Sequence, residues 1–295
     1  MFKRVKVAAV NFVPWKWHPD LNADRLERFF REAAKRGAKL AVAPEGIIDS
    51  YLICEALTWP KLRRELVAIA QPVDGPWVRR FEKLAKQLKM CLVFGMAELR
   101  GKHNVYNTAV FIDQRGQVCG TYRKVTNDIV GRSWHFNCSG KTIRAFDTPL
   151  GRCGMLTCSD RWHPAIAESL VLDGARFLCI LTWGVKSKEN DQAVLARARE
   201  NGVPIIQANV GSNLIISKGE IVALDRDRDT LTIAEIEIPA KISARNARTT
   251  EREFHSAYRK YIAQSSSQPF KPYRLRSGHP PKPARPTLRI RVHTC

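Results

Sequence analysis

The sequence predicts an α/β domain over residues 1–240, and three observations carry that expectation. Short apolar runs alternate with segments whose apolar residues recur at helical spacing. Such runs lie on both sides of a helix, which calls for a sheet covered by helices. Other runs are joined directly by turn residues, as in hairpins, so the sheet is mixed and not purely doubly wound.

The elements follow in order. Val5-Lys6-Val7-Ala8-Ala9-Val10 reads as a first strand, because its apolar run is too short and too interrupted for a signal peptide. Residues 20–39 place Leu26, Phe29, Phe30, Ala33 and Ala34 at helical spacing, with charge on the opposite face and Gly37 as the stop. A strand at 39–43 completes a βα unit. A helix near 75–89, with Trp77, Phe81, Leu84, Ala85 and Leu88 on its apolar face, leads into a strand at 91–96. Strands 105–112 and 117–122 flank the hairpin turn Asp113-Gln114-Arg115-Gly116. Strand 153–157, helix 163–174, strand 176–182, helix 189–201 and strand 204–209 continue the alternation. Hairpin strands near 213–224 and 230–238 close it. Residues 241–295 are expected to form a basic C-terminal helix and then an extended arm, which holds six prolines, lacks a core of its own, and packs on a neighbour or is disordered.

At 295 residues, 44% hydrophobic and 26% charged, the chain resembles soluble globular proteins in composition and can bury a substantial core. No apolar run approaches the roughly eighteen residues of a membrane span. Eight cysteines, mostly inside apolar runs, show neither a secreted disulfide framework nor the paired spacing of a zinc site. They are expected as free thiols in a reducing cytoplasm, without a structural metal. The net charge is +21, and residues 241–295 contribute thirteen Lys or Arg against two Glu. That excess permits nucleic acid, an acidic surface or an acidic partner, or serves solubility alone. Against nucleic acid, the arm has no run of five basic residues, and Phe254, Tyr258, Tyr261, Phe270 and Tyr273 form no recognisable motif.

Three reactive side chains stand at the ends of apolar runs: Glu45 after Leu40-Ala41-Val42-Ala43-Pro44, Lys124 after Gly120-Thr121-Tyr122-Arg123, and Cys158 after Cys153-Gly154-Met155-Leu156-Thr157. A thiol is a poor nucleophile until it loses its proton, so it needs a base or a positive charge beside it. Glu45 suits the base. Lys124, with the backbone N–H of Ser159, suits the oxyanion of a tetrahedral intermediate. Together they would support acyl transfer through a thioester.

Read in this order, Ala43-Pro44-Glu45, Tyr122-Arg123-Lys124 and Thr157-Cys158-Ser159-Asp160 resemble the motifs of the nitrilase (carbon–nitrogen hydrolase) superfamily. Supporting motifs are Tyr106-Asn107-Thr108-Ala109, Arg197-Ala198-Arg199-Glu200-Asn201 and Ala208-Asn209-Val210-Gly211. The resemblance implies a four-layer αββα sandwich, a Glu45-Lys124-Cys158 triad and no cofactor. It implies hydrolysis of a small linear amide or N-carbamoyl compound, or nitrile hydrolysis or acyl transfer with the same triad. It also implies a homodimer or higher homo-oligomer, with C-terminal segments reaching across to the partner.

Two departures stand out. Many members carry a second glutamate between the lysine and the cysteine, but here residues 125–157 hold only Asp128 and Asp147, and Arg132 stands eight residues past Lys124. The usual Pro-Glu after the cysteine motif reads Pro164-Ala165. A catalytically weakened binding module with a basic arm is therefore the alternative from another class. In the hydrolase reading, Arg132 is expected to bind a substrate carboxylate through paired hydrogen bonds. Trp134 and Trp183 are expected to line the pocket, His135 is a lesser acid–base candidate, and Asp160 and Arg161 are expected to pair and hold the turn around Cys158.

Overall fold

The computed structural model describes residues 2–52, 62–126, 128–129, 132–133, 137–184, 187–240, 246–265 and 291–294. In chain order the first half runs β1 (Phe2–Asn11), α1 (Pro19–Lys35), β2 (Leu40–Val42), α2 (Leu62–Ile69), α3 (Pro76–Leu88), β3 (Cys91–Arg100), β4 (Asn104–Ile112) and β5 (Val118–Arg123). Three short strands follow, β6 (Asp128–Ile129), β7 (Arg132–Ser133) and β8 (Asn137–Cys138). The second half runs β9 (Cys153–Thr157), α4 (Pro164–Leu172), β10 (Phe177–Trp183), α5 (Lys188–Asn201), β11 (Ile205–Val210), β12 (Asn213–Ser217), β13 (Glu220–Asp225), β14 (Thr230–Pro239), α6 (Ala247–Ser265) and β15 (Arg291–Thr294).

Two mixed sheets lie face to face. The first has the order β15-β14-β1-β2-β3-β4-β5, with β8 on β4, and the second β13-β12-β11-β10-β9. In the first, β1, β2 and β3 run parallel, while β14 pairs with β1 antiparallel along its whole length, from Phe2 opposite Pro239 to Asn11 opposite Thr230. In the second, β9, β10 and β11 run parallel.

Strand periodicity sorts the side chains of β1 into two cores. Val5, Val7 and Ala9 join the core that holds Met155, Ile180 and Ile206 of the second sheet. Ala8 and Val10 turn the other way, onto Leu26, Phe29 and Phe30 of α1 and Val78 and Phe81 of α3. Because both faces of β1 are covered, the strand reads as an almost continuous apolar run. Helices α4 and α5 cover the outer face of the second sheet through Ile166, Leu170, Val194 and Ala198. The layers are therefore α, β, β and α, the expected sandwich. Fully burying one such phenylalanine contributes roughly 1.5–3 kcal/mol. Phe81 further packs against Phe30 and Phe94 with ring centroids 5.8 and 4.7 Å away.

The helix ends follow local rules. Proline opens α1, α3 and α4, where a missing N–H costs nothing. The Ser187 side chain accepts from Asn190 N to cap α5, and Gly202 ends it at φ +64°. Helix α1 stops at Lys35, before the expected residue 39, because Gly37 turns left-handed at φ +85°.

The expected strand at 213–224 is two strands. Lys218 and Gly219, at φ +53° and +73°, turn the chain back on itself in a two-residue hairpin. Helix α2 and the short strands β6, β7 and β8 had no counterpart in the periodicity. In the C-terminal segment, α6 lies against the start of α4: His163 packs edge-on to Phe254 and Tyr258, and Glu251 accepts from Ile143 N at 2.7 Å. Residues 291–294 extend the first sheet, parallel to β14, and 266–290 lie outside the described residues. No helix among the described residues is long and apolar enough to cross a membrane.

Candidate active site

Glu45 leaves the C-terminal end of β2, where Ala43 N still donates to Val93 O at 2.8 Å. Its side chain is completely buried. Gly95 on β3 makes room for this approach: a Cβ there would stand 2.6 Å from Gly46 N and 2.8 Å from the Glu45 Cα. Lys124 prolongs β5, its N–H donating to Asn107 O at 2.9 Å and its carbonyl accepting from Gly140 N at 2.8 Å. Cys158 comes from the other sheet. It opens a 3₁₀ turn, Cys158–Trp162, directly after β9, with φ +49° in the left-handed region that side-chain-bearing residues avoid. Such strain persists only where the surroundings enforce it. Here the enforcement includes the Asp160 carboxylate, which accepts from Thr157 N at 2.8 Å.

The side chains converge between the sheets. Lys124 Nζ lies 3.0 Å from Glu45 Oε1, and Asn107 Nδ2 donates to the same oxygen at 2.7 Å. Glu45 Oε2 has no hydrogen-bond partner among the described residues. The ammonium also stands 5.9 Å from the Tyr51 ring centre, and Tyr51 stacks on Trp183 at 5.6 Å. The Trp183 backbone N–H stands close enough to the Cys158 sulfur to lower its pKa. These contacts join the loop after β2, the end of β5, the end of β9 and the end of β10.

Electrostatics divide the roles. Burial works against the Lys124 charge, but Glu45, Cys158 and Asp160 outweigh it and raise its pKa, so the ammonium stays protonated. Burial, reinforced by the Glu45 charge, pushes the Cys158 thiol above its ordinary range, while Lys124, Arg161 and the Trp183 N–H pull it down. The resting thiol is thus neutral. Burial also pushes Asp49, four residues past Glu45, up to about 7, aided by the Glu45 charge. Its Oδ1 accepts from Ala97 N at 2.9 Å, which ties the loop after Glu45 to β3.

Glu45, Lys124, Cys158 and Trp183 therefore meet. Ser159 follows Cys158 in the first turn of the 3₁₀ helix, where N–H groups have no intrahelical partner. Its hydroxyl lies 2.7 Å from the Thr126 hydroxyl. The backbone of Arg132 lies in the β6–β7 hairpin, and its side chain is outside the described residues, as are Trp134 and His135. The expected Asp160–Arg161 pair does not form. Asp160 Oδ2 accepts from Thr157 N at 2.8 Å and Tyr122 Oη at 2.8 Å, and Oδ1 from Thr126 N at 3.1 Å. Arg161 turns away and donates from Nη1 to the Cys158 carbonyl.

Sequence reasoning assigned no role to Asn107, Tyr51, Tyr122 or Thr126. Of these, Asn107 and Tyr122 stood in quoted motifs. Among the described residues, no three His, Cys, Asp or Glu side chains are grouped to hold a metal ion.

The model of the carbon–nitrogen hydrolase family matches residues 6–246. The chain belongs to that family. This carbon–nitrogen hydrolase is 32% identical over 217 residues to N-carbamoylputrescine amidase of Oryza sativa subsp. japonica, covering 72% of the chain and 68% of that protein. It is 32% identical over 197 residues to a bifunctional nitrilase/nitrile hydratase of Nicotiana tabacum, covering 63% of the chain but only 56% of the relative. A nitrilase of Pyrococcus abyssi is 29% identical, with 79% of the chain and 90% of that protein aligned. Among solved structures, an amidase from Nesterenkonia superposes with a TM-score of 0.67 at 17% identity, covering 86% of the chain and 97% of its own length. The fold of this family member is thus shared with an amidase, and its sequence relatives include amidases and nitrilases.

Proposed function

We propose that this carbon–nitrogen hydrolase cleaves a non-peptide C–N bond in a small linear amide or N-carbamoyl compound, through a thioester on Cys158. The observation that carries the reading is the state of Glu45. One carboxylate oxygen is held by Lys124 and Asn107, which leaves the buried Oε2 as the proton acceptor at the site of the thiol.

Each step uses groups already placed. As Sγ bonds to the carbonyl carbon, its proton passes to Glu45 Oε2. The carbonyl oxygen becomes an oxyanion, stabilised by the Lys124 ammonium and the Ser159 N–H. Collapse breaks the C–N bond, Glu45 delivers the proton to the leaving nitrogen, and a thioester remains. Water then adds to the thioester carbon, giving a proton to Glu45. The C–S bond breaks, that proton returns to sulfur, and the acid product leaves.

In this reading Trp183 walls the pocket together with Tyr51, and Trp134 lines it from the loop after Lys124. Arg132 recognises a carboxylate on the substrate. Changed selectivity between carboxylate-bearing and neutral amides in Arg132→Met supports that role, and unchanged selectivity removes it. A homodimer or higher homo-oligomer belongs to the same proposal, and a monomeric mass by light scattering contradicts it.

The deciding experiment is intact-mass detection of an acyl adduct after incubation with a panel of amides, N-carbamoyl amino acids and nitriles, with Cys158→Ala as control. An adduct from an amide or carbamoyl compound, absent in the control and accompanied by release of the amine or ammonia, is the expected result. Adducts from nitriles alone favour the nitrile chemistry of the tobacco relative. No adduct from any member of the panel rejects the hydrolase reading.

A further inference from the structure

Arg161 is one of the largest fully buried side chains in the protein, with 1% of its surface exposed. Among the described residues no carboxylate pairs with it. Its Nη1 donates to the Cys158 carbonyl, its guanidinium lies 5.0 Å from the centre of the Trp162 ring, and its Nε has no hydrogen-bond partner. Its own carbonyl accepts from Arg197 Nη1 at 3.1 Å, which fixes the backbone from behind. Asp160, the adjacent acid, is taken up by Thr157, Thr126 and Tyr122. A buried cation without a counter-charge is costly, and proteins keep one where a negative charge appears during function.

Among the described residues of the proposed mechanism, Arg161 donates to Cys158. That contact falls on the carbonyl of a residue held at φ +49°, so the guanidinium clamps the strained peptide that presents the thiol. We propose that Arg161 is a positioning residue for Cys158, holding its left-handed backbone and supplying an otherwise uncompensated positive charge to the thiolate as it forms. The charge of Arg161 indeed opposes the burial that pushes the thiol up. Lys124 lowers the thiol pKa as well, but its ammonium is engaged by Glu45, whereas Arg161 has no carboxylate partner among the described residues. The proposal rests on the reading of Cys158 as the nucleophile but not on any particular substrate.

The test is the pH dependence of Cys158 alkylation by iodoacetamide, located by peptide mass mapping, in the wild type, Arg161→Gln and Arg161→Lys. Gln keeps a donor for the Cys158 carbonyl and loses the charge, whereas Lys keeps the charge. At a fixed pH below the thiol pKa, each unit of upward shift removes about tenfold of the thiolate. The expected result is an alkylation rate about tenfold lower in Arg161→Gln, with Arg161→Lys within about threefold of the wild type. Arg161→Gln reacting at the wild-type rate, or Arg161→Lys slowing as much as Arg161→Gln, overturns the proposal. Should Arg161→Gln fail to fold by circular dichroism, Arg161→Lys decides alone: within threefold supports the charge role and a tenfold loss rejects it. The titration needs no substrate, so a missing acyl adduct in the wild type marks failure of the hydrolase reading separately.

Discussion

Asn107 and Lys124 hydrogen-bond the same oxygen of Glu45, at 2.7 and 3.0 Å. The amide is neutral and the ammonium charged, so their contributions differ: the lysine brings a counter-charge and the asparagine fixes the direction. Two donors on one oxygen stop the carboxylate from rotating, and its second oxygen is thereby aimed.

Replacing Asn107 by Leu should loosen that aim while leaving the ion pair intact. We expect kcat on the best substrate to fall about tenfold to a hundredfold, with KM changed less than threefold, because a misdirected base slows proton transfer without altering binding. Steady-state kinetics on Asn107→Leu and Asn107→Asp would separate this from a packing effect. Equal rises of KM in both variants would contradict it.

Asp49 predicts a pH dependence of stability. Its pKa is near 7 in the folded protein and near 4 in the unfolded chain, so between those values the folded state holds a proton that the unfolded state has released. The stability it contributes is present below about pH 4 and is lost as pH rises through 7. The full effect is at most about 4 kcal/mol. Urea denaturation from pH 4.5 to 8 should show the wild type losing ground to Asp49→Asn as pH rises. Parallel curves for the two proteins would rule this out.

Gly95 is predicted to be intolerant of any side chain. A methyl group there meets the backbone of Gly46 and Glu45 and the carbonyl of Pro44, at 2.6 to 2.9 Å, and backbone cannot swing aside as a side-chain end does. Gly95→Ala should destabilise by about 1–3 kcal/mol and displace Glu45, with activity falling further than stability explains. Thermal melts and kinetics on the same sample test this; a full-activity, wild-type-stable Gly95→Ala protein would show that the loop has slack.

The strands and helices and the three reactive residues stood out through local signals, whereas the αββα layering was implied by the family resemblance. Apolar periodicity marks strands and helices, and Glu45, Lys124 and Cys158 each end a run. Asn107 was not legible as a site residue, since its contact with Glu45 depends on the β3–β4 register, which sets Asn107 opposite Ala97. Asp160 and Arg161 misled because adjacent opposite charges suggest a pair, whereas the 3₁₀ turn sends them in different directions. The turn at Lys218-Gly219 lacks the Asn-Gly or Asp-Gly signature, so one strand was expected where there are two.

Glu45 and Lys124 stand on one sheet and Cys158 on the other. Strand β14, residues 230–239, comes late in the chain and pairs with the N-terminal strand on the side away from β2. During synthesis the thiol therefore emerges from the ribosome long before its surroundings are complete. Arg161 and Trp183, which act on the thiol, both follow it in the chain, so its environment is a property of the finished fold.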